Sequence, residues 1–450
     1  MDFFKQKLLF SKFSNLRKNP LVRNILLVGF ISVLVKLVGF YKETIIASNF
    51  GLSEVLDTYY IAILVPTIIQ TVFIVSLKNL FIPNYIIELN TTQQKGSFQT
   101  FTFYLITIIA IILTIFAIIF AEFFLDFVFP GHTIGYYHLV RTQLYYVLPC
   151  LFFWGYTGFL NGLQEINNNY FSSTISQIFL PIGMIICLVF FKDLFGDKVI
   201  VIGMLAGSFI SFLYTLGSTL INKLIAIGPL KRNENMNEML KQYPAKSISG
   251  LLTGINPFVD QFFAAQLVVG SIAALNYGIK IPAFTVGILI LAIGNVLLPH
   301  FSRLISTDLD RAYQQLFKIL KLVFFGGLLI TILTILFSDD IIRILFERKE
   351  FTSEDTYVVA NIQRIALVYV PFYLCTLVCV KFLTAINKNK FMAWTSFWNL
   401  ILNLIMNIVL VKMYGVYGLI LATTIVYVIA SLIYMGYTYR LFVKNKVLKN

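Results

Sequence analysis

Six cations and three acids lie inside apolar stretches that leave little room for charge: Lys36, Lys42, Lys78, Lys280, Arg364 and Lys381, with Glu43, Asp57 and Asp260. An ionisable side chain at membrane depth costs a few kcal/mol or more, so it faces a partner or a water-filled cavity. Lys36 and Glu43 are seven residues apart, two helical turns on one face, with Lys42 beside them. Lys36 sits deep within its apolar run, and Lys280 has apolar helix on both sides. Lys78, Arg364 and Lys381 lie near the ends of their runs, where a long side chain can snorkel to water. The excess of cations points to a multiply anionic substrate such as a diphosphate, held by point charges with rotatable donors. The acids Asp57, Glu43 and Asp260 are candidates for a cavity or ion-coupling role. Pro66 and Pro282 fall inside apolar runs, where they interrupt helices and are candidate hinges.

The elements that must position these residues are membrane helices. Apolar residues make up 58% of the 450 positions and charged ones 12%, too few to cover a soluble surface. Apolar runs of about 20 residues recur along the whole chain, the length that crosses a bilayer core as helix. They give about twelve spans, with cores near 24–47, 57–82, 99–126, 136–160, 169–191, 199–222, 247–268, 272–299, 315–337, 356–384, 391–411 and 415–439. The net charge of +14 is dispersed at span ends rather than gathered in a stripe, which argues against nucleic acid as a partner. Basic residues concentrate in the even-numbered loops and at the amino end (Lys5, Lys7, Lys12, Arg17, Lys18), which places both termini in the cytoplasm. Cys150, Cys187, Cys375 and Cys379 lie in apolar runs without a ligand set and read as packing residues, so no metal is expected. Asn399, Asn403 and Asn407 recur at i, i+4 and i+8, the pattern of interhelical hydrogen bonding.

The clearest change in composition is the polar stretch 223–246, which separates six spans from six. An echo supports a duplication: Pro66 and Pro83 are 17 residues apart, as are Pro282 and Pro299, and Asn79 and Asn295 precede the second prolines by four. The expected fold is therefore all-α, with two parallel-repeat six-helix bundles around a central cavity. Residues 1–226 form the first lobe, 227–246 a cytoplasmic linker and 247–450 the second lobe. That architecture suits alternating-access transport.

Two segments carry a family resemblance. Residues 34–66 supply Lys36, Gly39, Phe40, Lys42, Glu43, Phe50, Gly51, Asp57, Tyr59, Tyr60 and Pro66; residues 270–304 supply Tyr277, Lys280, Leu297, Leu298, Pro299 and Ser302. Together they resemble the lipid II flippase family (MurJ, also called MviN), within the larger superfamily of multidrug and oligosaccharidyl-lipid exporters. The resemblance implies that Lys36, Lys42 and Lys280 bind the substrate diphosphate, with Asp57 in the acidic role. The family usually carries arginine at those three positions. Gln70 stands where a further basic residue is expected, with Lys78 as its possible substitute. The family also carries fourteen spans, whereas this chain ends after about twelve, as lipid-linked polysaccharide flippases do.

The expected function is translocation of an undecaprenyl-diphosphate-linked glycan, lipid II or a polysaccharide repeat unit, across the bacterial cytoplasmic membrane. The alternative is an ion-coupled multidrug antiporter of the same superfamily, with Asp57 or Asp260 as coupling acid. No enzyme activity and no cofactor are expected, and coupling would be to membrane potential or an ion gradient. The expected partners are the lipid-linked anionic glycan and the bilayer, with the protein monomeric.

Overall fold

A chain in lipid must satisfy its backbone hydrogen bonds within each segment, so apolar runs of this length become helix. The computed structural model describes residues 20–447, and the side chains in that range except those of 20–26, 249, 252–257, 288–296 and 299. The basic amino end falls outside the described residues, as do the side chains of Asn295 and Pro299. Among the described residues there is no strand, only an isolated bridge between Arg348 and Phe351.

The helices are α1 (Pro20–Phe50), α2 (Glu54–Asn90), α3 (Lys95–Val128), α4 (Ile134–Val147), α5 (Cys150–Ile166), α6 (Tyr170–Phe190) and α7 (Val199–Ile221). They continue as α8 (Glu234–Ala264), α9 (Ser271–Gly278), α10 (Lys280–Thr307), α11 (Leu309–Leu336), α12 (Ser338–Phe346), α13 (Ser353–Leu367), α14 (Val370–Ala385) and α15 (Asn389–Val447). The twelve expected span cores fall mainly on helix, with breaks inside 136–160, 272–299 and 356–384 and a helix end at Ala264 inside 247–268. Among the described residues six helices are individually long and apolar enough to cross a membrane, and α13 with α14, bent by 41°, make a seventh if the pair is one span. This is an all-α, multi-pass membrane protein.

Proline and glycine set the breaks. Pro282 lacks an N–H and its ring would crowd the carbonyl of Gly278, so α9 ends there and α10 begins at Lys280. Pro371 does the same between α13 and α14. Pro66 is buried within α2, and a π-helical stretch, Gln70–Ile74, follows it. In α15 the kink is at Gly415, whose φ of 57° and ψ of −133° no other residue type adopts readily.

Contacts divide the chain into two compact units: Met1–Ile46 with Thr58–Ile255, and Ala47–Asp57 with Asn256–Asn450. In the first unit, Phe81, Tyr85, Phe98, Phe159, Met236 and Met239 form an apolar cluster. The polar stretch after α7 belongs to this unit. It runs extended to Asn233, then turns helical as α8, whose first half packs on α2. Ser76 Oγ donates to Lys246 O at 3.2 Å and Asn84 Nδ2 to Gln242 Oε1 at 3.3 Å. In the second unit, Phe301, Tyr313, Leu316 and Phe382 pack around Cys375 and Cys379, so these thiols are core residues. The segment 47–57 belongs to this unit too. Gly51, at φ +52°, lies so close to Glu350 that a Cβ would stand 2.4 Å from its carbonyl oxygen.

Candidate functional site

Five of the predicted site residues, Lys36, Lys42, Glu43, Lys78 and Pro66, lie in the first unit. Lys36 is half-buried on α1 and, among the described residues, has no ion-pair partner. One turn and a half further on, Lys42 pairs with Glu43 at 2.7 Å, and only 14% and 11% of the two side chains remain exposed. The pairing of adjacent residues reduces the net charge there but leaves the lysine donors on α1. Lys78 of α2 does not stand alone either: its Nζ donates to Glu165 Oε1 of α5 at 2.9 Å. The bond ties two helices of one unit and uses one of three ammonium donors.

The second unit holds Lys280, Asp57, Asp260 and Pro282. Lys280 is the first residue of α10, a 28-residue helix. A helix N-terminus carries a partial positive charge, so a cation there does nothing for the helix and adds to an anion-attracting field. Pro282 fixes this geometry by forcing the break ahead of Lys280.

Asp57 is buried, 3% exposed, and both carboxylate oxygens are engaged. Gly270 N donates to Oδ2 at 2.6 Å and Ala273 N to Oδ1 at 2.8 Å. These are orphan donors at the start of α9, so Asp57 caps that helix from a distant part of the sequence. Gly270, at φ +91°, makes the approach possible, since a Cβ there would meet Leu52 O at 2.7 Å.

Asp260 of α8 meets a looser set. Thr423 Oγ1 lies 3.4 Å from each of its oxygens, and Asn407 Nδ2 lies 3.4 Å from Oδ1. Asn407 Nδ2 also donates to Asn403 Oδ1 at 3.2 Å. Of the three asparagines expected as interhelical glue on α15, Asn403 and Asn407 therefore converge on the acid, and Asn407 is fully buried. Its Oδ1 is buried with no hydrogen-bond partner among the described residues. A carboxylate met by long contacts, beside an acceptor oxygen unanswered among the described residues, is under-satisfied.

The matches to known proteins decide the family. The model of the lipid II flippase MurJ family matches residues 46–449. The chain belongs to that family. Among curated relatives, a probable lipid II flippase MurJ of Buchnera aphidicola subsp. Schizaphis graminum is 22% identical, across 81% of this chain and 72% of the relative. One from Aquifex aeolicus is 24% identical, across 76% and 68%. Among solved structures, a lipid II flippase MurJ in an inward closed conformation superposes with a TM-score of 0.80 at 24% identity, covering 92% of this chain and 87% of the other. An inward-facing multidrug resistance transporter of the MATE family reaches 0.73 at 11% identity, with 93% and 99% covered. At these identities the superpositions establish the shared fold.

One buried group of this MurJ-family chain escaped the sequence reading. Glu88, near the end of α2, is 0% exposed. Asn235 Nδ2 donates to its Oε2 at 2.7 Å and Asn233 Nδ2 at 2.9 Å, while Gln94 N donates to Oε1 at 3.1 Å and Thr92 Oγ1 adds a further bond. The asparagines come from the polar stretch, so Glu88 latches that stretch to α2. The only sequence signal was NENMN at 233–237, a cluster of short amide side chains in a basic loop. Tyr59, Tyr60 and Tyr136 are buried, while Tyr145 and Tyr146 are exposed.

Proposed function

We propose that this chain flips lipid II across the bacterial cytoplasmic membrane by alternating access, with both termini in the cytoplasm. The observation that carries the reading is the match to the MurJ family over nearly the whole described chain. The lysines give it a mechanism. Lys36, Lys42 and Lys280 hold the diphosphate, and Lys280 does so where a helix N-terminus reinforces its charge. No bond is made or broken; the protein supplies a hydrated, cationic passage for a head group that lipid excludes. Lys78 keeps its pairing with Glu165 and tunes the field from within the first unit.

Asp260 is the proposed coupling site. Turning the Asn407 amide over would bring its Oδ1 toward Asp260 and Asn403, an assignment that geometry alone decides. Carboxylate, hydroxyl and amide oxygens would then converge, the ligand set that hard cations prefer. A monovalent cation bound there links transport to an ion gradient.

The test is conditional depletion in the native host, with mass spectrometry of lipid-linked precursors accessible from each membrane face. Lipid II accumulating on the cytoplasmic face, rescued by wild type but not by Lys36→Ala or Lys280→Ala at equal membrane abundance, supports the reading. Accumulation of a different polyprenyl-diphosphate sugar would move the chain to surface-polysaccharide export. Full rescue by both variants would remove the lysines from the mechanism.

A further inference from the structure

The first unit carries a groove of about 450 Å³ between α3, α5, α7 and the extended stretch after α7. Its walls are Phe103, Tyr104, Tyr156, Phe212, Leu216 and Ile225. They are stiff: Phe103 and Tyr156 stack with centroids 4.9 Å apart, and Tyr156 packs on Phe212 at 5.7 Å. Of the polar side chains that line it, Tyr156, Gln99 and Thr100 are already hydrogen-bonded, while Tyr104 is 52% exposed. Tyr156 Oη bonds Thr107 Oγ1 at 2.9 Å. Gln99 Nε2 donates to Leu224 O at 3.0 Å and to Tyr85 Oη at 2.6 Å, while its Oε1 accepts from Ala226 N at 2.8 Å. Thr100 Oγ1 accepts from Gly228 N at 3.2 Å. The groove therefore asks for little hydrogen bonding from its occupant and suits an apolar chain. It opens beside α3, whose most apolar window is only 17% buried and so faces lipid.

The mouth is basic. Lys95 lies one turn before Gln99, and Lys223 immediately precedes Leu224; both are exposed. A Cβ on Gly96 would stand 3.0 Å from Gly228 N, so Lys95 and the extended stretch share one rim. Exposed Lys231 and Arg232 extend the positive charge, while Glu88 is buried in its own hydrogen bonds. Around these cations the same stretch exposes Ile221 by 82%, Ile227 by 89% and Leu230 by 59%, the mixture found where a segment lies in the bilayer interface.

We propose that this groove is a binding site for one acyl chain of an anionic glycerophospholipid, whose phosphate rests on Lys95 and Lys223. Charge complementarity at the mouth selects an anionic head group, and the apolar, preformed walls take the chain. The groove holds a single acyl chain rather than a much longer polyprenyl tail, which sets this lipid apart from the transported one. Seated there, the lipid braces α3 against α7 and the stretch that leads into α8.

Native mass spectrometry of the purified full-length protein tests this by titration with phosphatidylglycerol, phosphatidylcholine and a polyprenyl phosphate. The first phosphatidylglycerol should bind about tenfold more tightly than phosphatidylcholine, as expected for two basic groups near a phosphate. Lys95→Glu with Lys223→Glu, both on the surface, should erase that preference without lowering thermal stability. Leu216→Trp, which fills the groove, should remove the tight site and leave weaker lipids bound. Equal binding of the two phospholipids to wild type, or a preference that survives the charge reversal, overturns the proposal. So does a polyprenyl phosphate that displaces phosphatidylglycerol from wild type, which would give the groove to the substrate's tail.

Discussion

Glu88 and Asp260 are both carboxylates whose hydrogen-bond partners are neutral, and they differ in how completely those partners answer the charge. Glu88 accepts two amide donors at 2.7 and 2.9 Å, a backbone N–H at 3.1 Å and a hydroxyl, and these four are spread evenly over its two oxygens. Asp260 meets Thr423 and Asn407 at 3.4 Å, with Asn403 beside them, and, among the described residues, nothing answers the neighbouring amide oxygen. A buried polar group that is fully satisfied rigidifies its surroundings; one that is partly satisfied is either costly or waiting for a ligand. The first belongs to a latch. The second has the character of a site.

The largest effect is expected at Asp260. Asp260→Asn keeps the volume and removes the charge that would attract a cation. Lipid II translocation in proteoliposomes should fall by at least about tenfold, the equivalent of one charge-assisted interaction. Thermal stability should stay unchanged, because the long contacts contribute little to it. The residual rate should no longer respond when the ion gradient is collapsed, whereas the wild-type rate should. A variant that transports normally and still follows the gradient would end the distinction from Glu88.

The opposite pattern is expected for Glu88→Ala. It removes the carboxylate from two asparagine amides, of which Asn235 keeps Thr91 Oγ1 at 2.9 Å, and from a backbone N–H, at a cost of about 2 kcal/mol. Thermal melting of the detergent-solubilised protein should drop, while transport per folded molecule stays close to wild type. Glu88→Gln should fall between, since its amide can accept at one oxygen only. Loss of transport without loss of stability would make the latch part of the transport cycle.

The contrast also marks what the sequence could reveal. Helices and the break at Pro282 were legible because apolar length and the missing N–H of proline act locally. The unusual cations were legible because charge in an apolar run stands out. Asp260 was visible for the same reason, and the asparagine spacing hinted at its neighbours. Glu88 was not, because its setting is polar and its partners Asn233 and Asn235 lie about 145 positions away. The pairing of Lys78 with Glu165, 87 positions apart, was hidden in the same way. Burial of Tyr59, Tyr60 and Tyr136 depends on which face of a helix meets protein rather than lipid, and apolar residues occupy both faces.

Asp57 supplies a third case that sharpens the comparison, and it carries the smallest expected effect. It is as buried as Glu88, yet it has two partners rather than four, both backbone N–H groups at the start of α9. A capping carboxylate contributes about 1 kcal/mol, with a further fraction from its charge against the helix N-terminus. Asp57→Asn leaves one acceptor oxygen for two donors and points an amide at the second. Hydrogen exchange at the Gly270 and Ala273 amides should then accelerate by about tenfold, the equivalent of one lost hydrogen bond, with the rest of the second unit unchanged. Transport should fall no further than that local loosening dictates, and Asp57→Ser should recover part of the protection. If exchange stays slow while transport collapses, Asp57 works through its charge rather than its hydrogen bonds. It would then belong with Asp260 as an ion-responsive group and not with Glu88 as a fastening.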